Sequence, residues 1–429
     1  MRSIHPARFA FATASIPPST ESSPLAREAL RGIAIMAVLA TGAFVAGCAD
    51  EPVDQTPDAG APLLEAPPPG AGVQLAMDVA IAPGQETEQC QYVVVDERVD
   101  IARFEHAYTR GSHHLLLYQT SLAPSAVSLE RFDCTGAQFT ELGVAGIAYA
   151  AQVPTGDLRY PTDVALRAEA GSVLLVQTHY LNASNEPLDA QVRLNLWYTP
   201  QPAAVLAGTL FFYDWAIHVP AGQPATAHMR CNVPGDINLV FGMSHMHRRG
   251  VDYRAVLEDA SAGPSAAPTE LFATTAWEGV EPRRYAPEVA VTAGSVIDYR
   301  CDFQGEAGRD IVEGPSAEAN EMCMFIASYY PRLDSPTELC AGPGSGPVFT
   351  GTQTCGETVT CVREAGADEV AAEACLVDTC AASSAAAVEL MKCINFQCAE
   401  ACAGGGAACD NCVITTCSEP FNDCYGASC

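Results

Sequence analysis

The sequence predicts an all-β chain: two antiparallel jelly-roll β-sandwich domains, followed by a small Cys-rich, helical module stapled by disulfides. Three observations predict this. From residue 73 to about 340 the apolar runs are short and broken by Gly, Pro, Asn and Asp, with no long stretch of helical period. Several runs alternate with the period of a strand; in "QVRLNLWYTP", Val192, Leu194, Leu196 and Tyr198 share one face. Twelve of the 19 cysteines lie between Cys355 and Cys429, set in Ala-rich sequence that favours helix.

The elements follow in order. Residues 1–48 read as a secretory signal: Arg27 and Arg31 precede "GIAIMAVLATGAFVAGC", too short a run for a membrane span. Its end, "VAGC", matches a bacterial lipobox, so Cys48 becomes the lipidated first residue. Residues 49–72, rich in Pro, Gly, Ala and acid, form a disordered tether. About 270 residues of body are too many for one sandwich, so the body divides at "TPQPAAVLAG" into 73–203 and 204–345. The tail, 346–429, repeats Cys-x4-Cys at Cys375/Cys380, Cys393/Cys398, Cys412/Cys417 and Cys424/Cys429. Disulfides are the favoured reading there, with a thiolate metal cluster as the alternative.

Charge excludes one class of partner. The formal net charge is −29, which repels a phosphate backbone, so no nucleic-acid partner is expected. The cysteine count points to export into an oxidising compartment. With Cys48 set aside, 18 remain, six in the body and twelve in the tail, so each group can close its own bridges.

Five of the nine histidines fall in three strand-like segments, "GSHHLLLYQT", "LLVQTHYLN" and "FGMSHMHRRG". His245 and His247 sit at i and i+2, hence on one face of a strand, where two imidazoles can share a metal; Met246 points the other way. His113 and His114 are adjacent and would point oppositely on a regular strand. A shared metal therefore needs a bulge, which Gly111 can supply. His179 stands alone. His5, His106, His218 and His228 read as structural or exposed.

These segments, with "EANEMCMFIASYYP", come in the order found in the copper type II, ascorbate-dependent monooxygenases, the family that includes peptidylglycine α-hydroxylating monooxygenase and dopamine β-monooxygenase. The resemblance covers about residues 90–340 and rests on "HHLLLYQT", "QTHY", "HMH" and "EMC…YYP" in order and spacing: His179 follows His114 by 65 residues and Met322 follows His247 by 75. It implies His113, His114 and His179 as ligands of an electron-transfer copper. It implies His245, His247 and Met322 as ligands of an oxygen-binding copper, and hence as catalytic residues, with Met324 and Met243 as near alternatives to Met322. A soft thioether favours Cu(I), the state that meets O2. Two copper ions per chain, ascorbate or another one-electron donor, O2 and a small organic substrate follow from the same resemblance. So do pairings of Cys90 with Cys134, Cys231 with Cys340 and Cys301 with Cys323, and a solvent cleft between the coppers. Gln177 matches a family position near the electron-transfer site. Peptide-processing members carry an Arg two residues before His-x-His and Asn and Tyr after the Met ligand. Met243, Met324 and Ile326 stand there instead, so peptide amidation is not expected and the pocket reads as more apolar. Two alternatives are a non-catalytic copper-binding surface lipoprotein and an adhesive protein on a degenerate sandwich. Periplasm and cell surface both fit.

Overall fold

The computed structural model describes residues 63–429 except 264, 367 and 403–405. The signal with its lipobox at Cys48, and most of the 49–72 tether, lie outside the described residues. The described chain is mostly β, with a small helical, disulfide-rich segment at its C-terminal end.

Four larger sheets and one two-stranded sheet, His218–Val219 with Ile311–Val312, make up the body among the described residues. Sheet I orders its strands Gly72–Ile81, Leu188–Tyr198, Val99–Tyr108, Val164–Ala168 and Val205–Leu206, with Thr155–Arg159 also on Val99–Tyr108. Sheet II runs Phe132–Asp133, Glu86–Val94, Val173–Leu181, Ser112–Thr120, Val144–Ala151. Sheet III runs Gly208–Tyr213, Cys323–Tyr330, Ile237–Met246, Arg283–Val291. Sheet IV runs Thr269–Thr274, Gly250–Glu258, Ser295–Gln304, Pro224–Val233, Gly346–Pro347. The chain leaves sheet I at Val205–Leu206 and enters sheet III at Gly208.

Alternation sets which face does what. On Leu188–Tyr198, Val192, Leu194 and Leu196 are buried, as their spacing predicts. On sheet II, Leu115, Leu117, Leu174 and Val176 pack with sheet I side chains. The opposite face carries Tyr118, Val173 and Leu175 into a core shared with sheets III and IV. Each large apolar side chain buried this way contributes roughly 1.5–3 kcal/mol. Because both faces of sheet II are covered, a polar group on it must find a partner or a purpose.

Nine disulfides close among the described residues. The body bridges are Cys90–Cys134, Cys231–Cys340 and Cys301–Cys323, the pairings that the resemblance implies. The tail bridges are Cys355–Cys424, Cys361–Cys375, Cys380–Cys429, Cys393–Cys417, Cys398–Cys412 and Cys402–Cys409. All twelve tail cysteines are thus oxidised, which removes the thiolate-cluster alternative. Within each Cys-x4-Cys doublet the two cysteines go to different partners, so the repeat cross-links helices rather than closing small loops. These bridges belong to an oxidising, extracellular environment. Among the described residues no helix is long and apolar enough to cross a membrane.

The tail is docked on the body. Val388 and Met391 of helix Ala381–Gln397, with Leu376, form an apolar cluster with Ala216 and Phe349. Lys392, the only lysine of the sequence, donates to the carbonyls of Gly342 (2.9 Å) and Ser345 (3.0 Å) and pairs with Glu389.

Candidate metal centre

Sheets II and III bring the five histidines together at their facing surfaces. His114 is directly opposite His179 in the register of Ser112–Thr120 on Val173–Leu181. Directly opposed residues share a face. His113 should then point away, but the register shifts between Ser112 and His114. The bulge turns His113 to the same side. Gly111, at φ +93°, sets it up: a Cβ there would meet Ile81 and Leu188 at 3.2 Å, and the left-handed backbone itself favours glycine.

The trio is compact. The ligating atoms of His113, His114 and His179 all lie within 4.8 Å of one another. His113 Nδ1 and His114 Nδ1 are 3.2 Å apart. Two nitrogens held tetrahedrally by one metal at about 2.0 Å would stand about 3.3 Å apart. His179 Nε2 is taken by Glu86 Oε1 at 2.8 Å, which leaves Nδ1 as its free donor. The hydrogen bond to His179 holds the Glu86 carboxyl below the usual carboxylate range. Burial holds His113 down at about 4 and His114 well below its ordinary value, so both are neutral at pH 7 and offer lone pairs.

The second group lies on sheet III. His245 is opposite Met324 in the register of Ile237–Met246 on Cys323–Tyr330. Alternation puts Met243, His245 and His247 on one face and Met322, Met324 and Ile326 on the matching face. Met246, as predicted, points the other way and is fully buried. His245 Nδ1 meets Gln152 Oε1 at 2.7 Å, and His247 Nδ1 meets the Asn320 carbonyl at 3.1 Å. Both acceptors fix the Nδ1–H tautomer and leave Nε2 free. Burial pushes His247 to about 3 and His245 well below its ordinary value. His245, His247, Met322 and Met324 line one chamber together with His114, Gln177 and Tyr118. Both thioethers therefore reach the chamber; the strand register alone would favour Met324 over Met322 as the neighbour of His245.

A buried carboxylate ties the two strands of this group. Glu321, fully buried and next to Met322, accepts from the backbone N–H of His247 (3.0 Å) and of Arg249 (2.8 Å). Burial raises its carboxyl to about 7 against those donors. The Arg249 guanidinium donates to the Ala317, Glu318 and Asn320 carbonyls and pairs with Glu306 at 3.1 Å. The loop that carries Asn320 to Met322 is thereby locked to the end of the His-x-His strand.

The solvent cleft implied between the two groups is absent from this structure. The His114 and His245 rings meet edge to face with centroids 5.6 Å apart. Gln152, from the end of sheet II, bonds both His245 and the Ser244 carbonyl of sheet III, so a side chain of one half orients a histidine of the other. The physical reason is apolar packing. Tyr118, Phe139 and Phe211 pack against one another between the halves, around the chamber, with Phe139–Phe211 centroids 6.0 Å apart. Gln177 is buried and accepts from Tyr118 Oη at 3.2 Å. His106, His218 and His228 have partners elsewhere: Tyr149 and the Val153 carbonyl, Asp310, and Asp298.

Sequence reasoning missed Glu86, Gln152, Asn320, Glu321 and Arg249. The pattern offered one usable signal: Glu86 and Glu88 alternate on the strand Glu86–Val94, placing two acids on a face that also carries Cys90, and Glu88 is opposite His179.

No family model matches the chain. Solved structures with some likeness include the major capsid protein P2 of bacteriophage PM2 (6% identity, TM-score 0.27, covering 61% of this chain and 98% of that one). The turret protein A223 of Sulfolobus turreted icosahedral virus gives 7% identity and TM-score 0.15, covering 60% and 99%. A structure of infectious bursal disease virus, Gx strain, gives 8% identity and TM-score 0.18, covering 62% and 72%. Likenesses this weak assign neither fold nor function.

Proposed function

We propose that the chain is a copper-dependent monooxygenase that hydroxylates a C–H bond of a small, largely apolar organic substrate, using O2 and an external one-electron donor such as ascorbate. The same reading takes the two halves as jelly-roll sandwiches and Cys48 as a lipid anchor to a membrane, in the periplasm or at the cell surface. The observation that carries it is the donor set: His113, His114 and His179 on one sheet, His245 and His247 with Met322 on the facing one, with Glu86, Gln152 and the Asn320 carbonyl occupying the second nitrogens of three of the rings.

His113, His114 and His179 would hold one copper, and His245, His247 and Met322 the other. Copper in these two places supplies one-electron redox chemistry and activation of O2. The remaining roles belong to the chain. Burial keeps the His113, His114, His245 and His247 imidazoles neutral and ready to ligate. Glu86, Gln152 and the Asn320 carbonyl hold three rings in fixed tautomers. Glu321 keeps Met322 in register with His247. Leu116, Tyr118, Phe139, Phe211 and Ile326 line the chamber, exclude water and receive an apolar substrate. Overall, one oxygen atom enters the C–H bond as hydroxyl; the other leaves as water with two protons and two electrons from the donor.

The test is ascorbate-dependent oxygen uptake by the copper-loaded protein, with product analysis, against arylalkylamines, phenols and lipids. Met322→Ala is expected to abolish product while copper remains at the three-histidine group. Copper binding with no product from any substrate would favour the non-catalytic copper-binding lipoprotein instead. Product formation by Met322→Ala would move the thioether role to Met324.

A further inference from the structure

A second space adjoins the chamber. It lies between the sheet II and sheet III edges and the Cys-rich tail, lined by Phe139, Tyr213, Trp215, Leu339, Leu376 and Phe396 among others; counted with the space open to solvent it spans about 1180 Å³, against about 560 Å³ for the chamber. Phe139 and Phe211 line both. An aromatic series joins them: Tyr118–Phe139 at 5.7 Å, Phe139–Phe211 at 6.0 Å and Phe139–Tyr213 at 5.7 Å between centroids. The Phe139 and Phe211 rings thus face both the groove and the chamber that holds His245, His247 and Met322.

We propose that this groove binds the distal part of an elongated, uncharged apolar substrate whose reacting end lies in the chamber, and that the Cys-rich tail is there to form its outer wall. This rests on the monooxygenase reading for the word substrate, but not for the binding itself. The chemistry of the walls selects the ligand. Leu376, Asn395 and Phe396 come from the tail, and the body supplies mainly aromatic and aliphatic surface, with Gln138, Thr140 and the buried Glu313 as its polar groups. Lys392, the cation on this wall, already has two carbonyls and Glu389 as partners, so it recruits no anion. Concave apolar surface of this size is what holds a small hydrophobic molecule. The tail also explains itself in these terms. Six disulfides keep its helices rigid, and Val388 and Met391 press them onto Ala216, which fixes Phe396 and Leu376 opposite Phe139 and Tyr213.

The test uses the metal-free protein and the uncharged naphthyl probe N-phenyl-1-naphthylamine, followed by its fluorescence and by energy transfer from Trp215. One saturable site is expected. Gly146 lines the groove, and a Cβ there meets nothing within 4 Å, so a side chain can start from this position and Gly146→Phe is the variant chosen to fill the groove. That variant is expected to weaken probe binding at least tenfold. Phe396→Glu, which places a charge in the groove from a half-buried helix position, should do the same. Trp215→Phe, which leaves Trp197 and Trp277 in place, should lower the energy transfer and keep the affinity. His245→Ala should leave probe binding unchanged, so the groove is tested separately from the metal chemistry. Absence of saturable binding would overturn the proposal, as would affinity untouched by both groove variants or energy transfer undiminished in Trp215→Phe. A protein that binds the probe as predicted yet never consumes oxygen would refute the monooxygenase reading and leave the groove standing.

Discussion

Asp214 offers a prediction whose size can be worked from the structure. It is fully buried beside the strand Gly208–Tyr213. Its Oδ1 accepts from the Ala216 N–H at 3.0 Å, and Oδ2 has no hydrogen-bond partner. Burial pushes its carboxyl from 3.8 to about 8. The folded state therefore holds a proton that the unfolded chain has released. Below about pH 4 both states are protonated and Asp214 costs nothing in ionisation. As pH rises the unfolded chain ionises alone, and folding stability falls by about 1.4 kcal/mol per pH unit until the folded carboxyl ionises near pH 8. The accumulated loss is roughly 6 kcal/mol at the alkaline end. Asp214→Asn keeps the acceptor for Ala216 and cannot ionise, so it imitates the protonated acid at every pH. Urea unfolding of the metal-free protein, disulfides intact, at pH 5, 6, 7 and 8 should show the variant more stable, by a margin that grows with pH. Infrared carboxylic-acid absorption at pH 6 should fall by one carboxyl in the variant, with that of Glu321 remaining. Parallel stability curves with no growing margin, or an unchanged infrared band, would show that Asp214 is ionised in the fold and that the argument from burial is wrong.

Other outcomes follow from the metal centre. Gln152→Ala should weaken copper binding at the His245/His247 group by roughly 10–100-fold and leave the three-histidine group unaltered, because only the former loses its orienting partner; equal loss at both, by competitive chelator titration, would count against it. Glu86→Ala should do the converse, through the freed ring of His179. With Cu(II) at both groups, rings in contact across sheets II and III should give spin-coupled ions, and a double-integrated resonance signal below two spins per chain. Two full, independent signals would mean that the halves stand apart once metal is bound.

Much of this architecture is legible in the sequence where the controlling rule is local. Alternation put Val192, Leu194 and Leu196 inward and His245 and His247 on one face. The adjacency of His113 and His114 demanded a bulge, and Gly111 marked where it falls. The body disulfides followed from resemblance, and the tail's even count from arithmetic. What stayed hidden depends on contacts between distant segments. Gln152 meets His245 across 93 positions, and no periodicity in either strand records the meeting. The closeness of His114 to His245 comes from how two sheets pack, which aromatic packing by Phe139 and Phe211 decides. The tail's connectivity was also unreadable, because twelve cysteines admit many pairings and each doublet divides between two partners.

The bulge at His113 has a consequence for how this site can change over time. It makes the three-histidine group depend on the number of residues in a strand, in addition to their identity. Apolar side chains on the buried face of Ser112–Thr120 are exchangeable for others of similar volume. Loss or gain of one residue between Gly111 and His114 is not, since it swings a histidine to the opposite face while leaving every amino acid of the motif in place. A descendant that kept "HHLLLYQT" intact but changed length just ahead of it would preserve the signature and lose the centre. In this protein, insertions and deletions at one loop edge therefore bear on function more heavily than most substitutions along the strand.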